Sequence, residues 1–320
     1  MKFLIAAVVF GMALFLTKEC LSAAVEPRLV GEGAISTPSD ETAFVLTPDG
    51  RTAFLARNSP TTAGVPLQVI YIVHSGDGQW SAPQVAPFSG QYRDFGPAMA
   101  PDGSKLFFIS DRPVRDDKER DLNIWMVSSS NAWSQAQAID QVNSSAQEYG
   151  VSVAANGTLY FGSTRAGGKG SLDIYRSRLK DGEYQSPENL GDVVNTAGAE
   201  GQPAISPDES TLVFTAFGRD DETVGVHREY NKGDLYVTHQ RAGVWTSPRN
   251  CGPGINSGAG EAWPGFSSDG RLLFFSSERG FATYRLAKRL TWRELQQGLS
   301  GVLNGMGNIY QVDASVLGRE

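Results

Sequence analysis

The chain has 320 residues, with 28 lysines and arginines against 35 aspartates and glutamates, a formal charge of −7, 36 glycines and only two cysteines. An acidic surface sets up no field that would gather nucleic acid or an anionic membrane, so a basic or neutral partner is favoured. Two cysteines cannot make a disulfide-stapled scaffold; stability has to come from a core, and the chain is long enough to bury one.

Lys2 is followed by an apolar run from Phe3 to Leu16, shorter than the roughly 20 residues that span a bilayer, and then by Ser22-Ala23-Ala24. Residues 1–24 read as a secretory signal peptide. Cys20 follows the apolar run, but Lys18 and Glu19 stand where a lipid-attachment signal takes small residues. Removing the leader takes two lysines and one glutamate, which moves the charge from −7 to −8 and leaves Cys251 with no partner for an intramolecular disulfide. The expected location is periplasmic or secreted, and residues 25–320 are expected to form a single domain with no membrane span.

After the leader, Pro27-Arg-Leu-Val-Gly31 leads to Ile35-Ser36-Thr37. The same pattern occurs mid-chain as Pro187 to Gly191 with Val194-Asn195-Thr196, and as Pro248 to Gly252 with Ile255-Asn256-Ser257. The front segment therefore reads as an outer strand separated from its sheet. Between Asn143 and Tyr175 the full unit is visible. A short strand opens at Glu148 and runs from Tyr149 to Ala154, the turn pair Asn156-Gly157 follows, and Thr158 to Ser163 returns. Beyond Arg165 and a glycine-rich link from Ala166 to Gly170, a third strand starts at Asp173-Ile-Tyr175, and a fourth begins near Tyr184.

The unit recurs five times. Its turn residue is Asp49, Asp102, Asn156, Asp208 and Asp269, and eight positions earlier stands an acid: Glu41, Asp94, Glu148, Glu200 and Glu261. A second-strand phenylalanine (Phe54, Phe108, Phe161, Phe214, Phe275) is followed by an arginine: Arg57, Arg112, Arg165, Arg219 and Arg279. Third strands read Val69-Ile-Tyr71, Asn123-Ile-Trp125, Asp173-Ile-Tyr175, Asp234-Leu-Tyr236 and Asn308-Ile-Tyr310. Repetition at this period with four short strands and tight turns predicts an all-β, five-bladed β-propeller of four-stranded antiparallel blades. The last copy stops after its third strand, so the N-terminal strand is expected to complete the last blade and leave no open edge. Trp80, Trp133, Tyr184 and Trp245 open the fourth strands. Repetition at one register favours packing between blades over a sugar-stacking platform.

The pattern Asn-Ser/Thr, acid, Pro, Ser-Pro-Asp-Gly, Phe-x-Ser-x-Arg, Asp-Ile-Tyr resembles the TolB-type, WD40-like β-propeller repeat over nearly the whole mature chain. Glu200-Gly-Gln-Pro203 with Ser206-Pro-Asp208 matches best. Ala155-Asn156 departs from Pro-Asp, and Val69 stands where an acid or Asn is usual. The resemblance implies a periplasmic or secreted propeller. The OmpA-like module and the front domain that accompany such propellers elsewhere have no counterpart in the sequence, so fold likeness transfers little function.

The acids begin innermost strands and the arginines end second strands, so both rings are expected on one face beside the central channel. Such a ring could hold Ca²⁺, with Glu148, Glu200 and Glu261 as ligands, or receive a basic peptide; alternatively each acid pairs with an arginine and stitches blades together. No other cofactor is expected. Two insertions break the symmetry on that face: 219–232, with His227 and Tyr230, and 280–307, with Tyr284 and Trp292. In the second, Thr291-Trp-Arg-Glu294 is a capping box opening a helix through Leu299.

Catalytic signals are sparse. His74, His227 and His239 have no zinc spacing, there is no Gly-x-Ser-x-Gly elbow, and Gly167 to Gly170 reads as a loop of the repeat rather than a phosphate cradle. The function expected is an exported, non-catalytic binding scaffold that takes a protein or peptide, an envelope component among the candidates, through the channel face. The alternative is a calcium-assisted or carboxylate-dependent glycan hydrolase or lyase in the funnel.

Overall fold

In the computed structural model, residues 26–59, 67–114, 120–219, 233–280 and 288–318 are described. Five small antiparallel sheets stand in a ring. From the axis outward, blade one is Asp40–Leu46, Thr52–Asn58, Gln68–Gly76 and Gln84–Val85. Blade two is Asp94–Met99, Lys105–Ser110, Asn123–Ser128 and Gln137–Ala138. Blade three is Glu148–Val153, Leu159–Ser163, Asp173–Ser177 and Glu188–Asn189. Blade four is Ala199–Ile205, Thr211–Phe217, Asp234–Arg241 and Arg249–Asn250. Each innermost strand touches the next, and that of blade five touches blade one.

Blade five takes three strands from the end of the chain, Glu261–Phe266, Leu272–Ser277 and Asn308–Asp313, and its outermost strand, Arg28–Leu29, from the beginning. Arg28 pairs with Gln311 and Leu29 with Tyr310, antiparallel. Just beyond, the Ser36 hydroxyl accepts from the Ile309 N–H at 3.1 Å. Asn195 and Asn256 clamp the third strands of their own blades in the same way, through Ile174 and Leu235. Ser36 does this work where blades two, three and four carry asparagine, as Ser89 does for Ile70 of blade one, which is why the front segment keeps the repeat's register.

Two local details go beyond the repeat pattern. The first hairpins keep positive φ off the Asp or Asn. That side chain instead accepts the N–H two residues on, as Asn156 does from Thr158 at 3.0 Å, and the following residue takes the left-handed conformation, as Gly157 does with φ +87°. The fourth strands are also split. Trp80, Tyr184 and Trp245 belong to separate two-residue pieces, Gln79–Trp80, Glu183–Tyr184 and Val244–Trp245, which extend a hairpin off the end of the third strand; the strand that completes the blade starts four residues later. The aromatic side chains do pack between blades. Trp133 meets Phe54 of blade one edge-on at 5.4 Å, and Trp245 meets Tyr160 of blade three at 6.3 Å.

The core lies between blades, where fully buried rings such as Phe54, Phe108, Phe161, Phe214 and Phe275 stand on second strands. The helix of the blade-five insertion spans Trp292–Ser300, opened by the capping box: Glu294 N–H donates to Thr291 Oγ1 at 3.3 Å and Thr291 N–H to Glu294 Oε2 at 2.8 Å. Among the described residues no helix is long and apolar enough to cross a membrane. The leader, residues 220–232 with His227 and Tyr230, and residues 281–287 with Tyr284 lie outside the described residues.

Candidate functional site: the acid face and the channel mouth

Each of the five acids pairs with the arginine of its own blade. Glu41 and Arg57 lie 2.9 Å apart, Asp94 and Arg112 2.6 Å, Glu148 and Arg165 2.9 Å, Glu200 and Arg219 3.2 Å, and Glu261 and Arg279 3.3 Å. All five carboxylates are fully buried. The motif explains the geometry. The phenylalanine and the third-strand tyrosine are cross-strand partners, Phe161 with Tyr175 and Phe275 with Tyr310, and the guanidinium lies over both rings; Arg165 is 5.1 Å from each centroid. From there it donates to the carboxylate and to the backbone carbonyl of Val142 at the end of the preceding blade.

For the four glutamates the remaining carboxylate capacity is taken by the Ser or Thr four residues upstream; in blade two that position is Gly90, and Ser89 donates to Asp94 instead. Thr196 donates its N–H and hydroxyl to Glu200 at 2.8 and 2.6 Å, and Thr37 and Ser257 do the same for Glu41 and Glu261. Burial pushes the Glu41 carboxyl up to about 7 against the Thr37 and Arg57 contacts, and it raises Asp94, Glu148 and Glu261 in the same direction.

The ten residues are thus five separate buried pairs, each tying the end of one blade to the start of the next, and not an open ring. Glu148, Glu200 and Glu261 have their oxygens committed to different blades. Among the described residues no three His, Cys, Asp or Glu side chains are grouped to hold a metal ion.

The central cavity, about 50 Å³, is instead walled by the middles of the five innermost strands, including Ala43, Gly96, Gly150, Gln202 and Trp263. These five stand two residues after each acid, and there the repeat loses its symmetry. Every innermost strand carries a bulge near this point. Gly96 and Gly150 take positive φ at no steric cost, whereas Gln202 at +49° and Trp263 at +53° hold the same conformation with side chains attached. The Trp263 indole leaves blade five, crosses to blades two and three, and packs on Phe95 and Tyr149 at 5.6 and 5.5 Å. A Cβ on Gly96 would come within 2.7 Å of that indole.

The Gln202 side-chain amide oxygen, Oε1, accepts from the Thr215 hydroxyl and from the Trp263 backbone N–H at 2.8 and 3.1 Å, and the same side chain also bonds Tyr149. Arg93 lies 4.8 Å over the Phe95 ring. Trp263, backed by the fully buried Phe95 and by Tyr149, therefore crosses the axis toward the acid end of the channel, with Gln202 and Arg93 beside these rings. The sequence signal for this crossing was the series Ala, Gly, Gly, Gln, Trp at one repeat position.

On the same face, residues 288–307 lean over the junction of blades five and one: Asn304 donates to the Pro38 carbonyl and Gly307 to Asp40. Trp292 is 70% exposed, and Leu299, Leu303 and Met306 are exposed as well, so Trp292 does not pack its helix onto the blade. The Gly167–Gly170 loop has used its amides internally: Lys169 and Gly170 N–H groups donate to the buried Asp173 carboxylate. His74 and His239 stand at the opposite end of the ring, each beside a threonine, Thr52 and Thr211, across a strand pair. Burial pushes the Cys251 thiol up to about 12, which keeps it protonated and inert.

No protein-family model matches the chain, and no curated protein matches it. Among solved structures it is similar to a gluconolactonase of Xanthomonas campestris, with 14% identity, 77% of this chain and 72% of that one covered, and a TM-score of 0.47. It is also similar to a puromycin-hydrolyzing peptidase of Mycobacterium tuberculosis (14%, 84% and 41%, 0.43) and to the calcium-binding protein regucalcin of Agrobacterium tumefaciens (17%, 57% and 55%, 0.35). The chain spans less than half the length of that peptidase and about a third of a matching prolyl endopeptidase. The propeller assignment stands on the sheet order described above.

Proposed function

We propose that this chain is an exported, non-catalytic recognition propeller of the TolB-like, WD40-like type that binds a protein partner on its acid face. The observation that carries this reading is that all five repeated carboxylates are buried and arginine-paired. A general acid, a general base or a nucleophile must reach the reacting atoms, and none of these five can without unmaking a blade junction. The TolB-type reading is supported by the fit of its motif to one bonding scheme, in which an Asn or Ser clamps a third strand, that Ser or the Ser or Thr after it bonds the acid, and the arginine closes on it.

The same face carries the features suited to association. Trp292, Leu299, Leu303 and Met306 are exposed on an insertion at the rim; Trp and Met are enriched in interfaces, and Trp is among the residues that dominate their hot spots. With Trp263 across the axis the central cavity is only about 50 Å³, too small to take an inserted peptide, so a partner is engaged at the mouth. With a charge of −8 once the leader is removed, the surface suits a neutral or basic partner, an envelope protein in the expected compartment.

The test is site-specific photocrosslinking in the native host, with a photoreactive residue at position 292 and, as control, at Asp181 on the opposite end of the ring. Discrete protein adducts at 292 and none at 181 support the reading. Equal labelling, or none, or turnover of a glycan library by the purified protein, contradicts it.

A further inference from the structure

In blades one to four an aromatic side chain stands four residues before the outermost strand: Trp80 before Gln84, Trp133 before Gln137, Tyr184 before Glu188, and Trp245 before Arg249. Each packs into a core cluster shared between neighbouring blades. Trp133 meets Phe54 and Trp245 meets Tyr160, Trp80 packs against the cluster shared by blades one and five that includes Phe274 and Ile309, and Tyr184 packs against the cluster running through blades one to three. A ring at this position is the repeat's way of filling the outer seam.

Blade five lacks it. Its outermost strand begins at Arg28, the matching position is Ala24, outside the described residues and not aromatic, and its third strand ends at Asp313 in a 3-10 turn, Ala314–Leu317, instead of a hairpin. Leu317 takes the inner part of the seam, buried in the same cluster as Val213 and Leu235 of blade four. Outside it lies a cavity of about 370 Å³, lined by Thr211 and His239 of blade four and by Phe266, Arg271, Asp313 and Ser315 of blade five. That is within the size range of small-molecule pockets.

We propose that this pocket is a binding site for a free aromatic amino acid, whose ring takes the place of the missing fifth aromatic side chain while Arg271 and Asp313 receive its carboxylate and its ammonium group. The two charges line one pocket. The Arg271 guanidinium is largely exposed, and its contact with Asp269 is long, at 3.8 Å, which leaves it able to turn toward a carboxylate. Asp313 is held ionised by the Ser315 hydroxyl and N–H, so an ammonium group meets a full negative charge. The pocket is at the hairpin end of the ring, away from the acid face, and is independent of the recognition reading.

Saturation-transfer NMR and calorimetry with L-tryptophan, indole and L-leucine test it on the mature protein. L-tryptophan is expected to bind with a Kd of about 1 mM or tighter, indole more weakly, and L-leucine not measurably. Arg271→Ala, at an exposed position, should weaken L-tryptophan about tenfold without changing the melting temperature, and Ser315→Trp, which fills the pocket, should abolish binding. No binding of L-tryptophan to the wild-type protein, or equal affinity in the wild-type protein and Arg271→Ala, overturns the proposal.

Discussion

Trp263 of blade five lays its indole against Tyr149 of blade three, 5.5 Å between ring centroids, across the axis of the propeller. One side chain thus joins walls that are not neighbours in the ring, and it does so from a backbone conformation that the matching positions in blades two and three leave to glycine. The strain at Trp263 and Gln202 is held by packing on every side, the condition under which such strain persists.

The first prediction concerns those glycines. At Gly150 a Cβ would stand 2.7 Å from the Cα of Gln202, a backbone atom that cannot swing away, and φ is +78°. Gly150→Ala should destabilise the protein by about 2 kcal/mol or more in urea unfolding. Trp263→Gly, by contrast, relieves a positive φ while losing a half-buried ring, and should cost less than the 3–5 kcal/mol typical of deleting a fully buried indole.

A second prediction concerns the buried pairs. Arg165→Met leaves the Glu148 carboxylate in the seam with only Ser144 and Ser163 as donors. Unfolding free energy should fall by about 3–5 kcal/mol. Adding Glu148→Gln, which removes the stranded charge, should recover part of the loss, a non-additivity that a double-mutant cycle reads directly.

The pH dependence has a definite sign. Burial raises the Glu41 carboxyl from 4.5 to about 7, so the folded protein holds that proton more tightly than the unfolded chain. The resulting stability is fully present below about pH 4.5 and is lost as pH rises through about 7. Asp94, Glu148 and Glu261 shift the same way. Urea midpoints should decline across this window, and Glu41→Gln should decline less, by up to a few kcal/mol. Superimposable profiles for the two proteins would show that the Arg57 and Thr37 contacts outweigh burial.

The blades, their order and the closing N-terminal strand were legible in the sequence because each depends on residues that repeat in register: a turn Asp, an acid, a phenylalanine and an arginine. The acid–arginine pairing was legible as one of two readings; distance and burial decide it, and spacing carries neither. The split fourth strands were not legible, since Trp80 and Gln84 both pair with the same third strand and only hydrogen-bond register separates them. The crossing of the channel was missed because Trp263 acts through contacts with blades two and three, about 110 to 170 residues earlier in the chain. What marks it in the sequence is a break in the repeat.

The most direct measurement is thermal unfolding of the mature protein in EDTA and then in excess Ca²⁺. A ligand that binds only the folded state raises the melting temperature by mass action. With Glu148, Glu200 and Glu261 each saturated by an arginine and a serine or threonine, the two melting temperatures should coincide. A rise of several degrees in Ca²⁺, abolished by Glu200→Gln, would mean that the carboxylates form a metal site, and the reading of the acid face as blade-to-blade pairing beneath a recognition surface would be wrong.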